Sequence, residues 1–163
     1  MDSISETRIR LLHPKLRDEV TTLINQANQQ LTKHSQVRIV QGLRTFEEQT
    51  ALYNQGRTTK GKKVTNAKAG QSYHNYGLAI DFALLIDGKE ISWNDKADFD
   101  LDGVADWIEV VRIFKAAGWA WGGNFKTLID MPHLEKVFGY SWEKLLAKYN
   151  AGDFIAGTKY VRL

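Results

Sequence analysis

Apolar residues recur at three- and four-residue steps through Leu16, Val20, Leu23, Ala27 and Leu31. That spacing marks one face of an amphipathic helix. Pro14 suits its first position, so a helix is expected from there to near Lys33. Residues 37–41 read as a short strand. Thr45 followed by Glu48 makes a capping box, predicting a second helix to about Asn54, with Gly56 just past its end. Residues 55–71 form a long Gly- and Lys-rich loop, a kind more often functional or mobile than idle. Residues 78–86, LAIDFALLI, have the length and composition of a strand. Asp87-Gly88 signals a hairpin, with residues 89–92 returning. A helix is expected over 104–117, stopped by Gly118, and a third strand over 133–137. Ser141 can cap a last helix to about Tyr149, ended by Asn150-Ala151-Gly152. Runs of helices around a few hairpin-linked strands indicate an α+β fold with a small antiparallel sheet.

Size and charge limit what this architecture can be. A chain of 163 residues fits one domain with a full core, and no linker or repeat divides it. No apolar run approaches the ~18 residues of a membrane span. The first twenty residues lack the apolar stretch of a signal peptide. Synthesis in a cytoplasm is therefore expected, with any export aided by another factor. With no cysteines, disulfides and thiolate metal sites are excluded, so any zinc must be held by His, Asp or Glu. A net charge of +3 favours anionic partners. The basic residues cluster at 57–68, either as a solvated loop or as a contact for anionic polymer. No nucleic-acid motif is present, and a monomer is expected.

Asp81 breaks the pattern of its strand. Alternation puts Leu78, Ile80, Phe82 and Leu84 on one face and Ala79, Asp81, Ala83 and Leu85 on the other. A buried carboxylate is costly unless it is paired or bound to metal, and the flanking alanines leave room for something to approach. His74 precedes it by seven residues, and Gly77 lets the chain fold back between them. His133 opens the third predicted strand. Two imidazoles and a carboxylate are a ligand set of catalytic zinc, with a fourth position left for water. Asp130, three residues before His133, is either a general base or a turn residue before Pro132. His13 and His34 read as ordinary satisfied polar residues.

The segment Ser72-x-His74-x-x-Gly77-x-Ala79-x-Asp81, followed by Asp130-x-Pro132-His133-x-Glu135, resembles the zinc D-Ala-D-Ala carboxypeptidase-Y-like peptidases. The segments from Gly118 to Gly123 and from Gln41 to Thr45 resemble the L-alanyl-D-glutamate branch that includes phage endolysins. Together the matches span about residues 38–136. The resemblance implies a Hedgehog/D-Ala-D-Ala peptidase-like fold, with zinc on His74, Asp81 and His133. It implies Asp130 as catalytic base and Arg44 as the group that polarises the scissile carbonyl. Arg44 lies just before a helix N-terminus, an unfavourable place for a cation, so a purely structural role explains it poorly. The implied substrate is bacterial peptidoglycan, reached after a separate pore protein opens the membrane. The alternatives are D-Ala-D-Ala carboxypeptidase or dipeptidase activity and a non-catalytic wall-binding module. Ser72 either contacts substrate or serves a turn. Of Trp119 and Trp121, one is expected to line the cleft, and Trp121 is taken as that residue. Glu135 either orients a ligand or is a neighbouring charge.

A second cluster lies outside this set. Asp98, Asp100, Asp102, Gly103, Val104, Asp106 and Glu109 fall at positions 1, 3, 5, 6, 7, 9 and 12 of a calcium-binding EF-hand loop. No entering helix is expected before it, and Ala105 stands where such loops carry a larger aliphatic residue. The competing expectation is an acidic loop in which Asp102 caps the next helix.

Overall fold

The computed structural model describes residues 1–32 and 34–163. The helix end expected at Lys33 lies outside the described residues. Among the described residues the helices are α1 (Ser3–Arg10), α2 (Pro14–Gln30), α3 (Phe46–Asn54), α4 (Asp106–Ala116) and α5 (Trp142–Asn150). The strands are β1 (Ser35–Gln41), β2 (Ala79–Ile86), β3 (Glu90–Ser92), β4 (Ala120–Trp121) and β5 (His133–Glu135). The fold is α+β, as the patterning predicts.

Strand β2 organises the sheet. β1 runs antiparallel along one edge, and the sheet continues as β1-β2-β5-β4. β5 pairs with Ala79–Asp81, and β3 pairs with Leu84–Ile86. With β1 filling the first edge, β3 and β5 share the second, end to end. The β2–β3 turn places Asp87 and Gly88 at φ 49° and 68°, the positive values a primed hairpin turn requires. Leu78, Ile80, Phe82 and Leu84 join the core with Leu16, Val20, Ile24 and Ala27 of α2 and Val110 and Phe114 of α4. Asp81 lies on the opposite face, half-buried between the buried Ala79 and Ala83.

Local signals explain most boundaries. Both halves of the Thr45–Glu48 capping box form, and Ser141 caps α5 through Lys144 N. His13 caps α2 by accepting from Lys15 N, while its Nε2 donates to Val161 O at 2.9 Å. His34 pairs with Asp87. Both histidines are satisfied, as expected of them.

Three features depart from the sequence expectations. Helix α1 was not foreseen: its apolar content is low, and its start is set by Asp2, which accepts from Ile4 N and Ser5 N. β4 is only two residues long, too short to leave a period. Helix α4 begins at Asp106 rather than 104, with Ala105 at the cap and no side-chain cap. Asp102 does not cap it: its Oδ1 accepts from Val104 N within the loop, and Asp106 N donates to Ala97 O.

Candidate active site

The sheet register builds the first cluster. Asp81 stands directly across from His133 in the β2–β5 pair, so both project from the same face. His74 arrives from a 3-10 turn, Tyr73–Tyr76, that ends on Gly77 at φ 68°. A Cβ at Gly77 would lie 2.5 Å from His13 N, so only glycine lets the turn close here. His74 Nε2 lies 3.2 Å from Asp81 Oδ1, and His133 Nδ1 lies 3.1 Å from the same oxygen.

Outer contacts orient both rings. His74 Nδ1 lies 2.8 Å from Gly42 O. A carbonyl only accepts, so Nδ1 carries the hydrogen, and the neutral ring turns a lone pair on Nε2 towards Asp81. His133 Nε2 lies 2.8 Å from Glu135 Oε2. By the same reasoning Nε2 donates, and Nδ1 faces Asp81 as an acceptor when the ring is neutral. Glu135 thus touches the outer nitrogen of His133, the position from which it would orient that ring. Three electron pairs converging on one point call for a cation or for protons between them. Atoms ~2.0–2.1 Å from a tetrahedral zinc stand about 3.3 Å apart, close to the spacings seen here, so the residues present fit such an ion.

The electrostatics follow the same geometry. Burial raises the Asp81 pKa, but the hydrogen bonds and charges of His133 and His74 outweigh it and hold the carboxyl well below the ordinary range. Burial lowers His133, yet Asp81 and Glu135 overcome it and push the imidazole up to about 9. Burial, then the charge of Asp81, raises Asp130, against the opposing pull of His133, His74 and Arg44.

Asp130 lies in the loop between β4 and β5, where its N–H donates to Gly122 O and its carbonyl accepts from His133 N. A Cβ at Gly122 would fall 2.2 Å from Asp130 O, so this approach requires glycine. Asp130, His133, Glu135 and Ser72 line one cleft of about 180 Å³, together with Gln71, Tyr73, Phe125 and Leu128. A larger concavity of about 510 Å³ lies against α1 and α2 and holds none of these residues.

Two predicted residues sit differently. Trp121 is not among the cleft-lining residues. Its Nε1 donates to Met131 O at 2.8 Å, and its ring packs over Gly123. Trp119, buried, donates to Glu19. Both indole N–H groups are therefore committed within the protein, and Phe125 and Leu128 line the cleft on its apolar side. Arg44 lines a separate hollow of about 300 Å³ with Phe46, Asn75 and Tyr149. Its N–H donates to His74 O, and its Nη1 donates to Gln49 Oε1 at 3.1 Å. Its Nε is buried with no hydrogen-bond partner among the described residues. Burial lowers its pKa, while Asp81, Glu48 and Asp130 oppose the shift, so their charges reach the guanidinium.

The acidic loop also gathers. Asp98, Asp100 and Asp106 offer oxygens within 4.8 Å of one another, as do Asp100, Asp102 and Glu109. Burial, reinforced by Asp102, Asp100 and Asp106, raises Glu109 against the bond from Gln30. At 57–68, Arg57 turns inward: it donates to Tyr53 O, Thr65 O and Asn66 and stacks over the Tyr53 ring. Lys60, Lys62 and Lys63 stay exposed.

Sequence reasoning missed Gly42 and Gln49. A backbone carbonyl leaves no side-chain signal, and a glutamine inside a capped helix resembles any other polar position.

Known proteins resemble this chain in sequence and in fold. The family described as D-alanyl-D-alanine carboxypeptidase matches residues 65–136. The peptidoglycan L-alanyl-D-glutamate endopeptidase CwlK of Bacillus subtilis is 47% identical over 126 residues, covering 77% of this chain and 74% of that protein. The L-alanyl-D-glutamate peptidase of Listeria phage A118 is 30% identical over 104 residues, or 61% of this chain, which spans less than a third of that protein's length. The crystal structure of the Serratia marcescens L-Ala D-Glu endopeptidase ChiX shares the fold, with a TM-score of 0.54 and 24% identity, over 85% of this chain and 90% of that one. Among the described residues no helix is long and apolar enough to cross a membrane. With both histidine motifs inside the matched segment and the α+β scaffold in common, the chain belongs to the D-alanyl-D-alanine carboxypeptidase family of peptidases, among the L-alanyl-D-glutamate endopeptidases.

Proposed function

We propose that this protein is a zinc peptidase that hydrolyses the L-alanyl-D-glutamate bond of peptidoglycan stem peptides and thereby opens the bacterial cell wall. The observation that carries the reading is the convergence of His74, His133 and Asp81 beside a cleft that also exposes Asp130. The choice of bond rests on the activity named for the Bacillus and Listeria phage relatives.

His74, Asp81 and His133 would hold the zinc. When bound, the metal supplies Lewis acidity, making water a stronger acid and polarising a carbonyl oxygen. Asp130 takes a proton from the attacking water as the water oxygen adds to the carbonyl carbon. The same carboxyl returns that proton to the amine nitrogen as the C–N bond breaks. Burial raises the Asp130 pKa from its ordinary value, a shift in the direction that favours proton return in the second step. Arg44 brings a fixed positive charge near the developing oxyanion, and its buried, unpartnered Nε supports a role towards a ligand. Gly42 O and Glu135 keep each imidazole turned with a lone pair inwards. Phe125 and Leu128 restrict water on the apolar wall. Ser72 lies at the cleft to meet the peptide.

A second reading, removal of terminal D-Ala, is favoured by the description of the family that matches residues 65–136. Digestion of purified peptidoglycan with zinc-loaded protein separates the two. New C-terminal L-Ala and N-terminal D-Glu ends in the mass spectrum are expected. Release of D-Ala or its dipeptide, without those ends, would overturn the first reading in favour of the second.

A further inference from the structure

Residues 98–109 carry five carboxylates and no lysine, arginine or histidine. Carboxylates so spaced repel one another, and the repulsion grows as they leave water. Proximity alone would not make a site, because exposed acidic loops are common. Glu109 supplies the independent observation. It is 1% exposed, on the first turn of α4, with its carboxylate beside Asp100 and Asp102. Gln30 donates to Oε1 at 2.7 Å, but Oε2 is buried with no hydrogen-bond partner among the described residues. Among those residues no salt bridge reaches Glu109, Asp98, Asp102 or Asp106. A buried carboxylate oxygen left in that state is expensive unless a cation completes it.

We propose that residues 98–109 form a calcium site with Asp98, Asp100, Asp102, the Val104 carbonyl and Glu109 as ligands. The all-oxygen donor set suits a hard cation, and the order of donors along the chain matches a calcium loop closed by a glutamate at its twelfth position. Asp106 acts one layer out. Ser35 Oγ and Phe99 N occupy its two oxygens, as suits a ninth position that reaches the ion through water. The loop is an EF-hand half without its entering helix, since β3 and turns precede it. In place of that helix the end of α2 closes the site, through Gln30 on Glu109 and Thr32 on Asp100. The ion therefore ties the start of α4 to the end of α2. Helix α4 carries Trp107, whose Nε1 donates to Met131 O at 3.2 Å in the loop that holds Asp130. Calcium so braces the catalytic loop from behind, whichever peptide bond the cleft cuts.

The test titrates zinc-loaded protein with calcium chloride while following melting temperature and binding heat. At a hundredfold excess over Kd, melting should rise by about 5–10 °C, with a much smaller rise for magnesium at the same concentration. Glu109→Gln should abolish the calcium-induced rise. Without calcium it should melt no lower than the parent, because the substitution removes the repelled charge and keeps an acceptor for Gln30. If that variant fails to fold, the exposed Asp102→Asn decides the matter, with at least tenfold weaker calcium binding expected. Terbium, excited through the nearby tryptophan and displaced by calcium, reports the same site in the parent protein. No calcium-induced rise in the parent would overturn the proposal. So would equal rises in the parent and in the folded variants, which would put the ion elsewhere.

Discussion

The protein gathers acidic side chains in two places, and the contrast explains what a catalytic cluster requires. Asp81 sits on a central strand, pinned between β1 and β5 by the sheet register. Its partners are held in turn by Gly42 O for His74 and Glu135 for His133. The loop at 98–109 has no strand register, although Gln30, Thr32 and Ser35 reach Glu109, Asp100 and Asp106 from outside it. Asp98 spends its oxygens on the N–H groups of Leu101, Asp102 and Gly103, and Asp102 spends one on Val104. Strands fix direction, and a loop fixes itself with the groups that would serve a ligand. Imidazoles held in one orientation suit a borderline ion with strict geometry, while adaptable carboxylates suit a larger, oxygen-loving one.

That contrast predicts a graded set of effects. His133→Ala, the most damaging change, should remove bound zinc and leave no measurable wall digestion. Retention of stoichiometric zinc in elemental analysis would break the assignment of the strand-borne ligands. Asp130→Asn should keep the zinc and lower kcat by about a hundredfold to ten-thousandfold, the usual range for losing a general base. Activity within threefold of the parent would remove Asp130 from the mechanism. Glu135→Gln leaves the ligand set intact and weakens only its support. Zinc affinity or activity should fall by about ten- to a hundredfold, and an unchanged zinc titration would deny the orienting role.

The metal-free protein offers a reading through pH. His133 has a folded pKa of about 9 against 6.5 for the free side chain. A raised pKa stabilises the fold fully below the unfolded value, and the gain is lost as pH rises through the folded value. Melting of the metal-free protein should therefore fall between about pH 6.5 and 9 on this account, and Glu135→Gln should flatten the fall. Zinc binding near pH 7 should release a proton for the same reason, measurable by calorimetry in buffers of different ionisation enthalpy. An equal number of protons bound before and after zinc addition would contradict a proton held between Asp81 and Glu135.

How far these features could be read from sequence follows from their range. Asp81 stands out because an apolar strand has no local use for a carboxylate, and period-two alternation already puts it on the face away from the core. The capping box at Thr45 and the turn at Asp87-Gly88 are decided within a few residues and are legible for that reason. Helix α1 and β4 depend on docking against the rest of the molecule, so their own segments carry little pattern. The same limit applies in the site. His74, Asp81 and His133 are visible as residue types at suggestive spacings. That Gly42 O selects the His74 tautomer depends on a contact across 32 residues, and that Gln49 holds Arg44 five residues back leaves no pattern that sets Gln49 apart from other polar helix positions. An aromatic beside a motif likewise does not reveal that the Trp121 indole N–H is committed to Met131 O.

Trp107 joins the two regions and gives the smallest of the expected effects. It is buried on α4, packs against Phe82 with ring centroids 4.4 Å apart and planes tilted by 35°, and donates to Met131 O. Phe82 follows Asp81 on β2, and Met131 follows Asp130. Trp107→Phe keeps an aromatic ring against Phe82 but removes the N–H and part of the volume. Trp121 still donates to the same carbonyl at 2.8 Å, so that acceptor is not orphaned. The change should therefore cost about 1–2 kcal/mol of stability, read from denaturant unfolding, and less than tenfold in kcat. A loss in kcat as large as that of Asp130→Asn, with zinc still bound, would mean that α4 sets the position of the catalytic loop rather than merely backing it. The acidic loop at the head of α4 would then be part of the catalytic apparatus, and the division between the two regions would fail.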